Sequence, residues 1–292
     1  MSRPTTALLP WFGSARMVAP AIGRALDGCS FVCVPFAGGM SELLHIKART
    51  LVVGDLNRHA INLALVLQGP KMGPALIRRL RRVPFHPDEL ALAQDTCRIA
   101  EDKQYTPPSE MEWAEAYFIA SWMGRSGKAG TDDELDGKLS GRWNGNGGDS
   151  ATRFRSATEG LLAYRKIMPR CTFQVMDAFE MLEKITDDDK NGIYCDPPWP
   201  DDGGVYKHKF GEAQQRRLAA RLMQFQRARV VVRFGDHKLI RELYPETHWE
   251  WQMATSRTAG NNAKAEVLLR LRPAAERPEV AGVSEGLFRE AA

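Results

Sequence analysis

Short apolar runs separated by polar segments are the first regular feature of this chain. Each run is rich in aliphatic or aromatic residues and ends at a polar or glycine-containing turn, a pattern typical of buried strands. We therefore predict buried parallel strands at Phe31–Pro35, Leu51–Gly54, Ile193–Cys195 and Arg229–Phe234. Three further strands are expected, at Thr172–Val175 and near His248–Ala254 and Ala265–Arg270, which makes seven in chain order.

Helical segments alternate with the predicted strands. We expect helices at Ser41–Arg49 and Asn57–Leu67, after the first two strands, and at Ala213–Arg227, before the fifth. Strands alternating with helices favour an α/β fold with a doubly wound, mostly parallel sheet. Only the short Gly/Asn turn Ala259–Asn262 separates the last two strands, so the final strand is predicted to be antiparallel.

The middle of the chain differs from this alternation because it has no strand pattern. Helices are predicted there at Met72–Arg82, Pro87–Glu101 and Ser109–Met123, and the Gly/Asp/Asn-rich segment Gly124–Asp149 is predicted to be a loop. We therefore divide the chain into a core of residues 1–68 and 171–272, an insert at 69–170, and a flexible Pro/Ala/Glu-rich tail at 273–292.

Composition narrows the class of protein. Of the 292 residues, 43% are hydrophobic, which is enough for a packed core. We see no run of about 18 apolar residues and no secretion signal at the start, so we expect a cytoplasmic protein with no membrane partner. The five cysteines are odd in number and lack CxxC spacing, which favours a reduced setting and no metal site. A net charge of +4 permits a nucleic-acid partner without requiring one.

An acidic residue, two prolines and an aromatic ring directly follow the fourth predicted strand, as Asp196-Pro197-Pro198-Trp199. Ligands of open parallel sheets bind at the carboxyl ends of the strands. One carboxylate, one carbonyl fixed by proline and one planar ring suit a flat molecule that carries an NH2 group, such as a nucleobase. The amine would donate to Asp196 and to the Pro197 carbonyl, while the ring stacks on Trp199. A proline-stiffened turn with an incidental aspartate is the alternative.

A glycine turn after the first predicted strand is the second candidate for ligand binding. Gly38 and Gly39 allow a ligand to approach the backbone closely, although the pattern is not the GxGxxG of dinucleotide sites. Asp55 ends the second strand, where a carboxylate accepts hydrogen bonds from ribose hydroxyls, and Leu56 would pack on an adenine ring. Capping of the helix that starts near Asn57 is the alternative role of Asp55.

Together these elements resemble the Dam-like, alpha-type N6-adenine DNA methyltransferases, in which a glycine motif comes first, a target-recognition insert second and a D-P-P-aromatic motif last. The resemblance covers most of the chain. Trp11-Phe12-Gly13 is similar to the W-x-G element of the family, and Val34-Pro35-Phe36-Ala37-Gly38-Gly39 to its E-P-F-x-G-G element. Three further matches are Gly54-Asp55-Leu56-Asn57 with A-D-I-N, Val175-Met176-Asp177-Ala178-Phe179 with G-D-F, and Glu266-Val267-Leu268-Leu269 with E-V-L-I.

The resemblance implies a Rossmann-like S-adenosylmethionine (SAM)-dependent methyltransferase sheet, with 69–170 as an inserted, mainly helical target-recognition region. It implies double-stranded DNA as substrate and a monomer, with a dimer left open. Asp196, Pro197, Pro198 and Trp199 would hold an everted adenine for direct methyl displacement on N6. Asp177 would hold the amine of the cofactor's adenine. The residues implied for SAM binding are Trp11, Gly13, Pro35, Phe36, Gly38, Gly39, Asp55, Leu56, Asp177 and Phe179.

The chain departs from the family pattern at three positions. The lysine that usually follows the W-x-G element is replaced by Ala15, and the acidic residue before P-F is Val34. In relatives that acidic residue neutralises the amino group of the cofactor, so we expect weaker SAM binding here. Trp199 stands where the family usually has tyrosine; it keeps a stacking face and loses a hydroxyl, so the chemistry is expected to survive.

Two segments are candidates for contact with DNA. Tyr206 and Lys207 lie in a glycine-containing loop after the Asp-Pro-Pro-Trp motif and would close over a flipped base or touch phosphate. The second half of the insert is basic, and we expect Arg142, Trp143, Arg153 and Arg155 to contact DNA. The alternative for Tyr206 and Lys207 is an ordinary exposed loop. The alternative for Trp143 is a structural role in which its ring packs into a small hydrophobic core.

The sequence leaves other functions open. The same pocket chemistry fits methylation of adenine N6 in RNA or of cytosine N4 in DNA; cytosine-N4 enzymes more often carry serine in place of the aspartate. A decayed homologue that only binds DNA is a third reading, suggested by Val34 and Ala15. A nucleotide-dependent oxidoreductase is disfavoured, because the third glycine of the dinucleotide fingerprint is missing.

Overall fold

One mixed sheet organises the part of the chain that the computed structural model describes, residues 7–124, 128–141, 149–201, 204–257 and 263–278. Its strands are β1 (Phe31–Val34), β2 (Thr50–Asp55), β3 (Cys171–Val175), β4 (Asn191–Cys195), β5 (Arg229–Gly235), β6 (Trp249–Arg257) and β7 (Ala263–Leu271). They lie in the order β3-β2-β1-β4-β5-β7-β6.

The direction of the strands agrees with the sequence prediction. Strands β3, β2, β1, β4 and β5 pair in parallel, whereas β7 runs antiparallel to both of its neighbours, β5 and β6. All seven predicted strands are confirmed, as is the antiparallel last strand. The strand order reverses beside β1, which is where ligands bind in open α/β sheets.

Nine α-helices lie within the described ranges. The helices predicted from 57, 72, 87, 109 and 213 onward are all confirmed, with ends that differ by a few residues. The helices are α1 (Ala19–Ala25), α2 (Arg58–Gln68), α3 (Met72–Leu80), α4 (Pro87–Glu101), α5 (Glu110–Met123), α6 (Ser150–Ile167), α7 (Ala178–Glu183), α8 (Glu212–Met223) and α9 (Lys238–Leu243).

The prediction of a helix at Ser41–Arg49 is wrong. Only one 3-10 turn, Glu42–Leu44, forms there. The carbonyl oxygens that follow this turn accept hydrogen bonds from a side chain rather than from helical N–H groups. Arg170 donates to those of Ile46 (3.2 Å) and Ala48 (2.7 Å). The chain thereby returns to the start of β2 along the end of the helical layer.

Helices α1, α6, α7 and α9 were not predicted, since each is short or largely polar. Helix α6 begins at a clear signal, because the side chain of Asp149 accepts from the backbone N–H groups of Ala151 and Thr152. Its buried face comes from only a few apolar residues, among them Phe154 and Leu161. Tertiary packing, not local propensity, stabilises such a helix.

Alternate residues of the strands face two hydrophobic cores, one on each side of the sheet. In β5, Val230 and Val232 belong to one core and Val231 to the other. Helices α7, α8 and α9 cover the first core, and α1 to α6 cover the second. The helices of the predicted insert at 69–170 therefore share a core with α1, α2 and the sheet.

The start of the predicted tail is held in place. Arg277 donates to the carbonyl oxygens of Met223 (3.2 Å) and Phe225 (2.9 Å), so residues up to 278 pack beside α8. The remainder of the predicted tail, 279–292, lies outside the described residues. None of the helices that the structure describes combines the length and apolarity needed to cross a membrane.

The crossing of α3 and α6 yields a stability test. A methyl group on Gly73 would overlap the Leu67 carbonyl oxygen and the Arg165 guanidinium that caps the end of α2. Gly73→Ala is therefore expected to lower the free energy of unfolding by about 1–3 kcal/mol, although alanine normally favours a helix. Gly204→Ala is the control, since a Cβ at Gly204 meets nothing within 4 Å. Urea unfolding measures both; equal stability of the two variants would contradict this packing.

Candidate functional site

A cavity of about 830 Å³ opens at the carboxyl ends of the parallel strands. A smaller cavity of about 330 Å³ adjoins it and shares several wall residues with it. Gly13 and Gly39 line the smaller cavity, whereas Pro197 and Trp199 line neither. The predicted catalytic and cofactor-binding residues that line the larger cavity are Trp11, Pro35, Phe36, Gly38, Asp55, Leu56, Asp177, Phe179, Asp196 and Pro198.

The glycine turn is shaped by the close approach of Trp11. Gly38 has φ +46°, and a Cβ there would lie 3.1 Å from Trp11 Nε1. A Cβ on Gly39 would lie 2.9 Å from Trp11 Cβ. On its other side, Trp11 packs against Gly130, whose backbone also lines the larger cavity. The glycines therefore let the indole form a wall of both cavities.

Asp55 is oriented by backbone donors at the end of β2. Its carboxylate accepts from the N–H groups of Gly38 and Asn57, each at 2.9 Å. Asn57, not Asp55, caps α2, because the Asn57 side chain accepts from Ala60 N. Burial raises the pKa of Asp55, and the two backbone donors oppose that rise. Carboxylate oxygens keep further acceptor sites, so ribose hydroxyls can still donate to Asp55.

Asp177 stands beside a group of aromatic rings. One of its oxygens accepts from Phe179 N at 2.8 Å, which caps α7 and aims the carboxyl group along the cavity wall. The rings of Phe36 and Phe179 both pack against Phe210, with centroid distances of 5.6 and 6.3 Å. These apolar walls with a carboxylate at their edge suit a purine ring that carries an amine.

Asp196 is held by a buried arginine that the sequence reasoning missed. Its Oδ2 accepts from Arg233 Nη1 at 2.9 Å and from the Tyr194 hydroxyl at 3.2 Å. Among the described residues no donor reaches Oδ1, and the side chain lines both cavities. Burial raises the pKa of Asp196, and the Arg233 charge works against that rise. The carboxylate therefore has one fixed oxygen and one that is available to a ligand.

Arg233 lies at the centre of an ion-pair network. Only 2% of the residue is exposed, and it binds the Glu266 carboxylate through Nε (3.1 Å) and Nη2 (2.9 Å). Its Nη1 also donates to the Gly13 carbonyl oxygen at 2.6 Å. Strand pairing explains the contact between Arg233 and Asp196. Cys195 of β4 pairs with Val232 of β5, so the next residues, Asp196 and Arg233, lie side by side.

The Asp-Pro-Pro-Trp turn is held in place by side chains of α8 and β5. Gln215, which is fully buried in α8, donates to the Pro198 carbonyl oxygen at 2.6 Å. The Trp199 ring is only 7% exposed, with Arg233 over it at 5.0 Å from the ring centroid. A Cβ on Gly235 would lie 2.9 Å from this indole. The ring packs under the turn here, and its stacking on a base stays a prediction.

The loop after this turn binds the insert. The Tyr206 hydroxyl donates to the Phe12 carbonyl oxygen at 3.2 Å, and its ring lines both cavities. The Lys207 ammonium pairs with Glu101 of α4 and, at 3.3 Å, with Glu134. Both predicted contact residues are thus engaged within the protein, and their contact with DNA stays a prediction.

Lys207 joins a polar cluster that the sequence did not predict, in which His59 and Glu134 are buried and Glu101 is exposed. His59 Nε2 lies 2.9 Å from Glu101, and its Nδ1 accepts from Trp113 Nε1, which assigns the proton to Nε2. The close approach of the His59 ring, together with the Lys207 ammonium, lowers the pKa of Glu101 to about 2 against the effect of burial. Ligand atoms of His59, Glu101 and Glu134 approach within 4.8 Å of one another, a spacing that suits a metal ion. The Lys207 ammonium already supplies positive charge there, so a metal ion would have to displace it.

The predicted DNA contacts of the insert are only partly described. Arg153 is half-buried on α6, with its guanidinium 6.0 Å from the centroid of the Trp122 ring, whereas Arg155 is exposed. Arg142 and Trp143 lie outside the described residues. Contact of all four with DNA stays a prediction.

Several residues around the cavities escaped the sequence reasoning. Arg233 was read only as part of a strand, although a lone arginine after three valines is a signal of a buried charge. Glu42 was placed on a predicted helix, and Gly130 and Glu134 within a loop. Gln215 carries no sequence signal. Their roles depend on which segments meet in space.

Comparison with known proteins adds no assignment. No protein-family model matches this chain, and no curated protein matches it. The case for a function therefore depends on the geometry of the two cavities.

The Arg233 network yields a second stability test. Arg233→Met would leave Asp196 and Glu266 buried without their cation and is expected to lower the free energy of unfolding by about 3–5 kcal/mol near pH 8. The deprived carboxyl groups would have raised pKa values in the folded state, so the loss should shrink as the pH falls and they take up protons. Urea unfolding at pH 5 and pH 8 measures this.

Arg216→Met is the matched control for this measurement. Arg216 pairs with Glu212 and Glu242 on the surface, where 46% of its side chain is exposed. Its loss is expected to leave the free energy of unfolding nearly unchanged at either pH, because solvent screens a surface ion pair. A cost for Arg233→Met as small as that of the control would contradict the role given to the buried ion pair.

Proposed function

We propose that this protein is a SAM-dependent methyltransferase that transfers a methyl group to N6 of adenine in double-stranded DNA, in the cytoplasm. One observation carries the proposal: Asp196 lines the same cavity as Gly38, Asp55 and Asp177. A nucleoside-binding wall and an amine-binding carboxylate thus meet in one space, which is the arrangement that methylation of a nucleobase amine needs.

The residues of the larger cavity fit SAM. Asp55 has acceptor capacity for ribose hydroxyls, and the exposed Leu56 beside it offers an apolar face to an adenine ring. Asp177 would accept from the adenine amine, next to the ring of Phe179. When bound, SAM supplies an electrophilic methyl group. The fit favours a Rossmann-like methyltransferase core with the insert at 69–170 as the target-recognition region.

Asp196 would hold the target amine. Its Oδ2 is occupied by Arg233 and Tyr194, so its Oδ1 is the oxygen that accepts from N6. The Pro197 carbonyl is the second acceptor in this proposal, since Gln215 occupies that of Pro198. Two fixed acceptors orient the nitrogen lone pair and stabilise positive charge that develops on N6. Direct displacement needs no general base of unusual strength.

The target base must leave the duplex to reach this cavity. In the cavity it would meet Asp196 and Pro198, which form part of the wall. Stacking on Trp199 requires the indole to become accessible, since the ring is only 7% exposed. Lys207 would touch phosphate only after leaving Glu101 and Glu134. Both changes would accompany DNA binding in this proposal.

Replacement of Asp196 tests the proposed chemistry. Asp196→Ala is expected to lower transfer of tritiated methyl groups from SAM to duplex DNA by at least about 100-fold, because the acceptor for N6 is lost. Asp189→Ala is the matched control, since this exposed aspartate precedes β4 at the opposite edge of the sheet. Scintillation counting of the recovered DNA measures both, and labelling by Asp196→Ala at the wild-type rate would refute the assignment.

The same labelling experiment distinguishes methylation of adenine in DNA from methylation of adenine in RNA and of cytosine in DNA. Duplex DNA, single-stranded DNA and RNA are offered in parallel, and the products are digested to nucleosides. Label in N6-methyladenosine from RNA, or in N4-methylcytosine from DNA, would replace the proposed substrate. Binding of SAM without label in any acceptor would favour the decayed DNA-binding homologue.

A further inference from the structure

The smaller cavity contains two buried polar atoms that lack a partner among the described residues. They are Glu42 Oε1 and Ser14 Oγ, and both residues line this cavity together with Asp196. Burial of a carboxylate oxygen without a hydrogen bond is costly unless a ligand completes the site. The cavity adjoins the larger one, and Trp11, Gly38 and Asp196 form part of the wall of both.

The backbone after the glycine turn directs Glu42 inward. Met40 adopts a positive φ of 57°, and the single 3-10 turn Glu42–Leu44 follows it. Only 3% of Glu42 is exposed, so its carboxyl group has left water. The pKa of Glu42 is raised to about 8: burial is the largest cause and the nearby Asp196 charge adds to the rise, while a hydrogen bond with the Glu42 backbone and the Arg233 charge oppose it.

Buried positive charge is scarce around Glu42. The charged and titratable groups that act on it or respond to it are Asp196 and Tyr194 of the β4 end, Arg233 of β5 and Tyr164 of α6. Arg233 is the cation of this set, and it is hydrogen-bonded to Asp196, Glu266 and Gly13 O. The pocket therefore favours a ligand that brings a cationic group to Glu42.

We propose that Glu42 binds the α-ammonium group of SAM, and that the Ser14 hydroxyl binds the same amino-acid end of the cofactor. This inference rests on the proposed function. It gives the smaller cavity a ligand group and supplies, from a different position, the carboxylate that is absent at Val34. If Glu42 supplies this carboxylate, the absence of an acidic residue at Val34 does not weaken SAM binding.

Binding releases a proton in this arrangement. At pH 7 Glu42 is mostly protonated without ligand, since the pKa is about 8. The ammonium keeps its own protons and stabilises the carboxylate, so the Glu42 proton passes to solvent. Affinity should therefore rise with pH, by up to about tenfold per pH unit below pH 8.

Titration calorimetry with two neutral-sulfur probes tests this assignment. S-Adenosylhomocysteine carries the α-ammonium group but no sulfonium, and 5′-methylthioadenosine carries neither. Glu42→Gln keeps the size of the side chain and removes its charge. The variant is expected to bind adenosylhomocysteine about 10- to 100-fold more weakly than wild type and methylthioadenosine within about twofold of it. Its affinity for adenosylhomocysteine should also lose the rise between pH 6.5 and 8.

Each outcome has a distinct meaning. Unchanged affinity of Glu42→Gln for adenosylhomocysteine would overturn the inference, as would an equal loss for both probes, which marks a structural defect. An unchanged affinity with slower methyl transfer would also overturn it and assign Glu42 to the chemistry. Failure of the wild-type protein to bind either probe would refute the proposed function itself. Glu246→Gln, a change at an exposed position between α9 and β6, is the control and should match wild type throughout.

Discussion

The site depends on the ion pairs and hydrogen bonds made by the buried guanidinium of Arg233. It joins the carboxylate at the end of β4, the Glu266 carboxylate of β7 and the Gly13 carbonyl of the N-terminal segment. Three segments far apart in the chain therefore meet at one cation in a medium of low dielectric constant, where charges left unpaired are costly. Arg233 thereby orients Asp196, holds Gly13 of the smaller cavity wall and packs over the Trp199 ring.

Four of the five parallel strands were predictable because a buried parallel strand is a short apolar run. The three further strands were also predicted at positions that the structure confirms. Asp55 and Asp196 were predictable as residues of the candidate site because each lies at the carboxyl end of a strand, and parallel strands bring such positions to one edge. Asp177 was predicted from the family resemblance alone. Arg233 was not predictable, because its partners depend on strand order: β7 inserts between β5 and β6 only in three dimensions. The prediction of a helix at Ser41–Arg49 was wrong because local propensity carries no information about Arg170, a distant residue whose side chain binds the backbone of this segment.

The loop after the Asp-Pro-Pro-Trp turn and the insert form one wall of the larger cavity. Gly130 of the insert and Tyr206 of the loop both line it, while Lys207 joins the loop to Glu101 and Glu134. Glu134 also accepts from Tyr117 and from the backbone of Gly130. The lysine that the sequence assigned to phosphate therefore joins the loop to the insert beside the larger cavity.

The position of Trp11 has a practical consequence. Its indole forms part of both cavity walls and touches the glycine turn on one side and Gly130 on the other. An indole so placed changes its environment when either space is filled, and its ultraviolet emission responds to such a change. The molecule thus carries its own fluorophore in the wall of both cavities, and occupancy of either cavity can be followed by fluorescence in the unlabelled protein.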